Sequence, residues 1–263
     1  VTNALPIVTV LTLSATGSEM DPGAVISNIE TNDKYAIIHP LLQPKVSFLD
    51  PKNTYSVSAF QTACGGADIL SHIFDISYFT NAPKMDMIDK VMEAVIKTVV
   101  KYTPVAVEEP NNYEARANLM WASSWALNGF LSTGAMQAAS CHMMEHELSA
   151  FYDITHGLGL AILTPRWMEY ILDETNAKDF KKFGVNVFGV EANLSEMEGA
   201  KQAIVALSDF LFNKLGLQST LTELGIDDKN FKVMAEKACA GTVLHGFKVL
   251  KPADVEKIYR MCL

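Results

Sequence analysis

Between Arg116 and Glu145 the chain carries no Asp, Glu, Lys or Arg, and this gap limits the folds open to it. An uncharged run of that length belongs either in lipid or in the middle of a packed protein. It contains Asn118, Ser123, Ser124, Asn128, Gly129, Ser132, Thr133, Gly134, Gln137, Ser140 and His142, polar groups that hydrocarbon solvates poorly. Small residues alternate with Trp121, Trp125, Leu127, Phe130 and Leu131, a pattern suited to helices contacted on every side. The run therefore reads as the centre of a helical domain and not as a membrane span. Residues from Trp125 to Leu131 are also candidates for an apolar substrate pocket, although plain core explains each of them as well.

The chain has 263 residues, 49% of them hydrophobic, enough for one large core. A net charge of −9 and a pI near 5.1 leave no basic surface to displace counterions, so no nucleic-acid partner is expected. Cys64, Cys141, Cys239 and Cys262 show no CxxC spacing and read as buried thiols in a reducing cytoplasm. No basic segment leads into an apolar run with a cleavage site, so no secretory signal is expected. The sequence starts at Val1 and runs at once into the strand-like ALPIVTVLTL, which reads as the later part of a longer polypeptide.

Residues 6–50 have strand character. Pro6 to Leu13, Ala24 to Ile29, Tyr35 to Ile38 and Val46 to Leu49 are short β-branched or apolar runs separated by turn residues. Four such strands do not make a stable sheet alone, so they read as the edge of a larger one. From about Tyr55 the pattern turns helical. Ile88, Val91, Val95 and Val99 place an amphipathic helix over Lys84 to Tyr102, with Pro104 as its stop. Further helices are expected over Asn112 to Leu131, Gly134 to Asp153, Leu158 to Leu172 (kinked or interrupted at Pro165), Asn176 to Phe188, Leu194 to Leu215, Lys229 to Ala240 and Ala253 to Met261.

Three of the six histidines, His142, His146 and His156, fall within CHMMEHELSAFYDITHG. On a helix, His142 and His146 share a face one turn apart and can reach one small object. In GGADILSHIFD, Asp68 and His72 repeat the four-residue spacing within an apolar stretch. A carboxylate and an imidazole buried together want a cation between them. The loop SATGSEMDPG at 14–23 offers Thr16, Gly17 and Ser18 to a phosphate or ribose, although the same tripeptide is common in plain turns. Neither GxGxxG nor GxxxxGK[ST] occurs.

Taken together, LPIVTVLTLSATGSEMDPGAVISN, KVSFLDP, GGADILSHIFD, NLMWASSWALNG and HMMEHELSAFYDITHGLGLAIL resemble the iron-containing (group III) alcohol dehydrogenases. The likeness is to the butanol dehydrogenase branch of NAD(P)H-dependent aldehyde reductases and covers essentially the whole chain. It implies a mostly α chain of dehydroquinate synthase-like fold. A small β remnant of a dinucleotide-binding α/β domain (1–54) would precede an all-helical metal-binding domain (55–263). The implied metal ligands are Asp68, His72, His142 and His156, with Fe²⁺ the expected ion and Zn²⁺ or another divalent metal an alternative. His146 would be a catalytic proton relay near the substrate, and Thr12, Thr16, Ser18 and Lys34 would touch NAD(P)H. A homodimer acting on a small alcohol or aldehyde is implied as well.

The family's Gly-Gly-Gly-Ser phosphate loop and the elements before it are absent from these residues, so this chain by itself is expected to hold a metal more readily than a dinucleotide. Asp21 stands where relatives often carry a smaller or amide residue, which leaves cofactor preference open. The donor set is coherent by its own chemistry: three imidazoles and one carboxylate suit a borderline divalent ion that polarises an alkoxide or carbonyl oxygen. A histidine of near-neutral pKa would then relay the proton, and a cofactor must carry the hydride. Two rivals stand. His142 to His146 also matches H-x-x-E-H, in which both histidines bind zinc and Glu145 is the base. Alternatively, the chain is a helical dimerisation module with a retained metal site. His39 and His245 are expected to be exposed, and Glu145 and Glu147 are possible partners of the histidines.

Overall fold

A computed structural model describes residues 2–81, 83, 85–133 and 139–263 of the chain. The N-terminal stretch forms two separate two-stranded sheets. β1 (Val8–Val10) pairs in parallel with β4 (Val46–Phe48), and β2 (Gly23–Asn28) pairs antiparallel with β3 (Asp33–Ile38). In the parallel pair, Thr9 and Ser47 lie opposite each other, and the Thr9 hydroxyl donates to the Ser47 hydroxyl at 2.8 Å. Val8, Val10, Val46 and Phe48 are exposed. The four expected strands are all present, each within a few residues of its predicted ends. His39 differs from expectation: it is half-buried, and its Nδ1 accepts from the Leu41 N–H at 3.1 Å, capping the short turn Pro40–Leu42.

The rest is helical, so the chain is mostly α. Among the described residues the helices are α1 (Ala59–Ser71), α2 (Asp86–Glu108), α3 (Tyr113–Leu127), α4 (Ser140–Tyr152), α5 (His156–Ile171), α6 (Ala177–Phe183), α7 (Glu196–Ser208), α8 (Phe231–Ala238) and α9 (Pro252–Met261). α1, α6 and α7 run on into π-helical turns at His72–Tyr78, Gly184–Phe188 and Asp209–Lys214. The helix expected from Lys84 begins at Asp86, and Lys84 itself lies outside the described residues. So do residues 134–138 at the start of the predicted Gly134 to Asp153 helix.

Pro104 does not end α2, which continues to Glu108. Packing overrides the missing N–H: Thr103, Pro104 and Ala106 are buried, and Gly66 of α1 lies so close to Thr103 that an added Cβ would sit 2.5 Å from its methyl. The Thr103 hydroxyl also donates to the Val99 carbonyl at 2.7 Å. α5 likewise runs through Pro165 without interruption.

The core is contiguous through α1 to α9. Its densest part is an aromatic group in which Phe79 stacks on Phe180 with ring centroids 4.3 Å apart, while Phe183, Phe74 and Trp167 approach edge-on or at its margin. α4 is tied to α9 by the buried Tyr259 hydroxyl, which donates to the Met144 carbonyl at 2.7 Å. The uncharged run is core only in part: Leu119, Met120, Ala122, Ser123, Ser124 and Ala126 are buried in α3 and Leu131 beyond it, but Trp121 and Phe130, expected to be packed on every side, are exposed because one face of α3 is left uncovered. No described helix is long and apolar enough to cross a membrane, and all four cysteines are free and buried.

Candidate metal centre

Asp68 sits near the end of α1 and His72 one turn later, where the backbone widens into its π-helical turn. His142 and His146 project from the first half of α4, and His156 opens α5. Two glycines bring these elements together. At Gly157 an added Cβ would lie 2.1 Å from the Cys64 carbonyl oxygen, so only glycine lets α5 press against α1 there. At Gly159 it would lie 2.8 Å from Cγ of Glu145, so that position fixes the α4 carboxylate beside His156.

The result is a cluster of four of the predicted residues. His156 Nε2 is 3.6 Å and His72 Nδ1 is 3.7 Å from Asp68 Oδ1. The His72 and His142 rings stack at 4.7 Å, and His142 and His156 are 5.7 Å apart by ring centroid. One donor atom each from Asp68, His142 and His156 falls within a 4.8 Å span. These separations are too long for hydrogen bonds. They match the roughly 3–4 Å between donors that share one ion at about 2.0–2.2 Å. Asp68 Oδ1, His72 Nδ1 and His142 Nε2 are buried and have no hydrogen-bond partner in the protein, a costly arrangement unless a cation satisfies them. The residues fit a divalent ion.

Outer carboxylates orient two of the imidazoles. Asp75 Oδ2 accepts from the His142 backbone N–H at 2.9 Å and lies 3.1 Å from His142 Nδ1. Glu145, fully buried, contacts His156 Nδ1 closely and also takes the Ser149 hydroxyl. Burial opposes charge on both members of the His156–Glu145 pair, yet their attraction raises the His156 pKa and lowers that of Glu145. Burial is the main cause that lowers His72 to about 3, with the His142 and His156 rings adding to it against the pull of Asp68. His72 is therefore neutral, the form that binds a metal.

His146 lies beside this cluster, its ring 5.8 Å from that of His156 and its Nδ1 buried without a partner. It groups with Glu145 and His156 rather than with Asp68 and His142. A cation among that second set would face the Lys34 ammonium, 3.6 Å from Glu145 Oε2, so the Asp68 side is the better metal site. Burial pushes the His146 pKa down to about 3, with Glu145 pulling the other way. This departs from the near-neutral value expected of a relay histidine. The division of His142 and His146 between two groups also fails to support the H-x-x-E-H arrangement, and Glu145 is occupied by His156, Ser149 and Lys34.

Of the residues assigned to the cofactor, Thr12, Thr16 and Ser18 are exposed, whereas Lys34 on β3 turns inward to Glu145. Their loop is clasped between helices. Gly17, at φ +67°, lies against the Ser123 carbonyl of α3, and the Ser14 carbonyl lies against Gly65 of α1. Buried Glu19 bonds the Ser124 hydroxyl. Trp125 faces an apolar groove between α2 and α3, lined also by Met87, Val91, Val95 and Trp121. None of the metal-site candidates lines this groove. Sequence reasoning missed Asp75 and Glu19. Both had a signal: Asp75 follows Asp68 by seven residues in GGADILSHIFD, the spacing of one α-helical face, and Glu19 stands in the loop quoted for the cofactor.

Residues 62–263 match the Fe-containing alcohol dehydrogenase family, C-terminal, and residues 1–51 match Iron-containing alcohol dehydrogenase. The chain belongs to the iron-containing alcohol dehydrogenase family. Within it, the likeness is to the butanol dehydrogenase branch. The chain is 47% identical to NADH-dependent butanol dehydrogenase B of Clostridium acetobutylicum over 97% of its own length and 66% of the relative's. It is 48% identical to NADH-dependent butanol dehydrogenase A of the same organism, over 99% and 67%. The crystal structure of NADH-dependent butanol dehydrogenase A from Thermotoga maritima superposes with a TM-score of 0.91 at 36% identity, over 99% of this chain and 67% of that one. The chain thus spans about two thirds of the length of the relatives it matches.

Proposed function

We propose that this chain is the metal-binding part of an NAD(P)H-dependent alcohol dehydrogenase that interconverts a primary alcohol and its aldehyde. The reading assigns residues 1–54 to the edge of a cofactor domain and 55–263 to the helical lobe of a dehydroquinate synthase-like fold. The observation that carries it is the grouping of donor atoms of Asp68, His142 and His156, with the buried, partnerless Nδ1 of His72 3.7 Å from Asp68. These four residues would hold Fe²⁺, with Zn²⁺ as the alternative by ligand type. A bound ion would supply Lewis-acid polarisation of the substrate oxygen, and a nicotinamide would supply the hydride.

The protein's own residues account for the rest. Asp75 and Glu145 aim two imidazoles, and the buried surroundings of α1, α4 and α5 keep water from competing for the donors. His146, neutral and next to His156, passes a proton as a neutral imidazole does, accepting at one ring nitrogen while donating from the other. The exposed hydroxyls of Thr12, Thr16 and Ser18 suit hydrogen bonds to a nicotinamide dinucleotide. Lys34, 3.6 Å from Glu145, adds positive charge beside the histidine cluster. A homodimer completes the proposal.

The test is butanal reduction, followed as NADH and NADPH oxidation after Fe²⁺ or Zn²⁺ loading, in this chain and in a polypeptide that adds a complete cofactor domain. Activity is expected in the longer polypeptide and abolished by Asp68→Ala. A metal-loaded longer polypeptide with no activity on any primary alcohol or aldehyde would overturn the reading. Light scattering on the same samples tests the dimer.

A further inference from the structure

Asp75 is only 2% exposed, closes the stretch GGADILSHIFD without having been assigned a role there, and is hydrogen-bonded to the site through His142. It lies in the π-helical turn that follows α1, three residues beyond His72. Both hydrogen bonds described for its side chain run from His142 to one oxygen, Oδ2: one from the backbone N–H at 2.9 Å, one from ring Nδ1 at 3.1 Å. The backbone bond replaces a missing cap. Ala139, which precedes α4, offers no side-chain acceptor to the free N–H groups of the first turn. The carboxylate of Asp75 fills that place from the neighbouring helix, where the α4 dipole favours negative charge.

The ring bond fixes chemistry as well as position. A carboxylate only accepts, so the nitrogen facing it carries the proton and the other presents its lone pair. That other nitrogen, His142 Nε2, is a buried atom without a partner in the protein. We infer that Asp75 is the positioning residue for His142: by capping α4 across the helix boundary it sets both the ring's direction and its Nδ1–H tautomer, and the cluster's affinity for a divalent ion depends on it. The inference rests on the metal-site reading above. Glu145 performs a comparable service for His156, but it is shared with Ser149 and Lys34, whereas Asp75 serves His142 alone among the bonds described.

Co²⁺ binding to the chain is the test, because its visible spectrum reports the ligand set. Asp75→Asn retains an oxygen for the backbone cap but loses the charge. It is expected to weaken Co²⁺ binding by roughly 10–100-fold and to alter the spectrum, with the metal-free melting temperature little changed. Asp75→Ala is expected to lose affinity and melting temperature together. Unchanged affinity and spectrum in Asp75→Asn, with binding still abolished by His142→Ala, overturns the inference alone. Retained binding in His142→Ala overturns the metal-site reading beneath it. A measurement that needs no variant decides the tautomer: long-range ¹H–¹⁵N correlation on the metal-free protein is expected to give His142 as Nδ1–H, and an Nε2–H form overturns the inference.

Discussion

Gly157 packs against the backbone carbonyl of Cys64 so closely that a Cβ on it would stand 2.1 Å from the oxygen. The contact brings the start of α5 onto α1 and thereby His156 to Asp68. Replacing glycine by alanine in a helix ordinarily gains about 1 kcal/mol, but forcing a methyl into backbone costs about 1–3 kcal/mol or more. The clash wins. Gly157→Ala is expected to lower the melting temperature and to weaken metal binding, measured by calorimetry and by chelator competition. A more stable variant would contradict the packing.

His72 and His146 are expected to respond oppositely to deletion. His72→Ala removes a donor 3.7 Å from Asp68 Oδ1. It should reduce divalent-ion affinity by more than the ~10–100-fold typical of losing an outer partner. His146→Ala should leave the ion bound and lower turnover instead. Metal content after dialysis, read by elemental analysis, separates the two. Ion loss on His146→Ala with His72 silent would revive the H-x-x-E-H arrangement.

Because the donors assemble only in the folded state, an ion that occupies them stabilises the fold. With free ion at a hundred times its dissociation constant the gain is about 2.7 kcal/mol, or roughly 5–10 °C for a chain of this size. The melting temperature should rise on adding Zn²⁺ or Fe²⁺ and fall back with chelator. The rise should vanish in Asp68→Ala.

Glu147 is buried, and Oε2 has no hydrogen-bond partner although Lys237 Nζ is 4.0 Å away. Burial pushes its pKa up from 4.5 to about 7, opposed by Lys237 and assisted by Asp33. Asp21 is raised in the same way, mainly by burial, from 3.8 to about 6. A carboxyl group with a raised folded pKa binds more protons folded than unfolded between its two values, so stability declines as pH rises through that window. Denaturant midpoints should fall between about pH 4.5 and 7 on account of Glu147, and Glu147→Gln should flatten that part of the profile. An unchanged slope would place the effect elsewhere.

Much of this was legible beforehand. The Asp68–His72 and His142–His146 spacings came from helical periodicity and His156 from the family resemblance; Asp68, His142 and His156 come together, whereas His146 falls in a neighbouring group with Glu145. The strands at 8–10, 23–28, 33–38 and 46–48 followed from their β-branched runs and turns. What was hidden depended on tertiary contact. Pro104 reads as a stop until Gly66 is seen pressed against Thr103. Asp75 reads as one more polar residue until α4 is found to lack a cap of its own. The low pKa of His146 follows from burial, which no spacing reveals.

The anchoring of the 14–23 loop by Gly17 on Ser123 and Glu19 on Ser124 has a mechanical consequence. The loop is held by α3 and α1 and also by β4, whose Ser47 hydroxyl donates to the Glu19 carbonyl at 2.8 Å, so the exposed hydroxyls of Thr16 and Ser18 stand on a stretch fixed from both sides. A ligand bound at these hydroxyls would therefore meet a surface set by packing, and its binding would order little additional backbone.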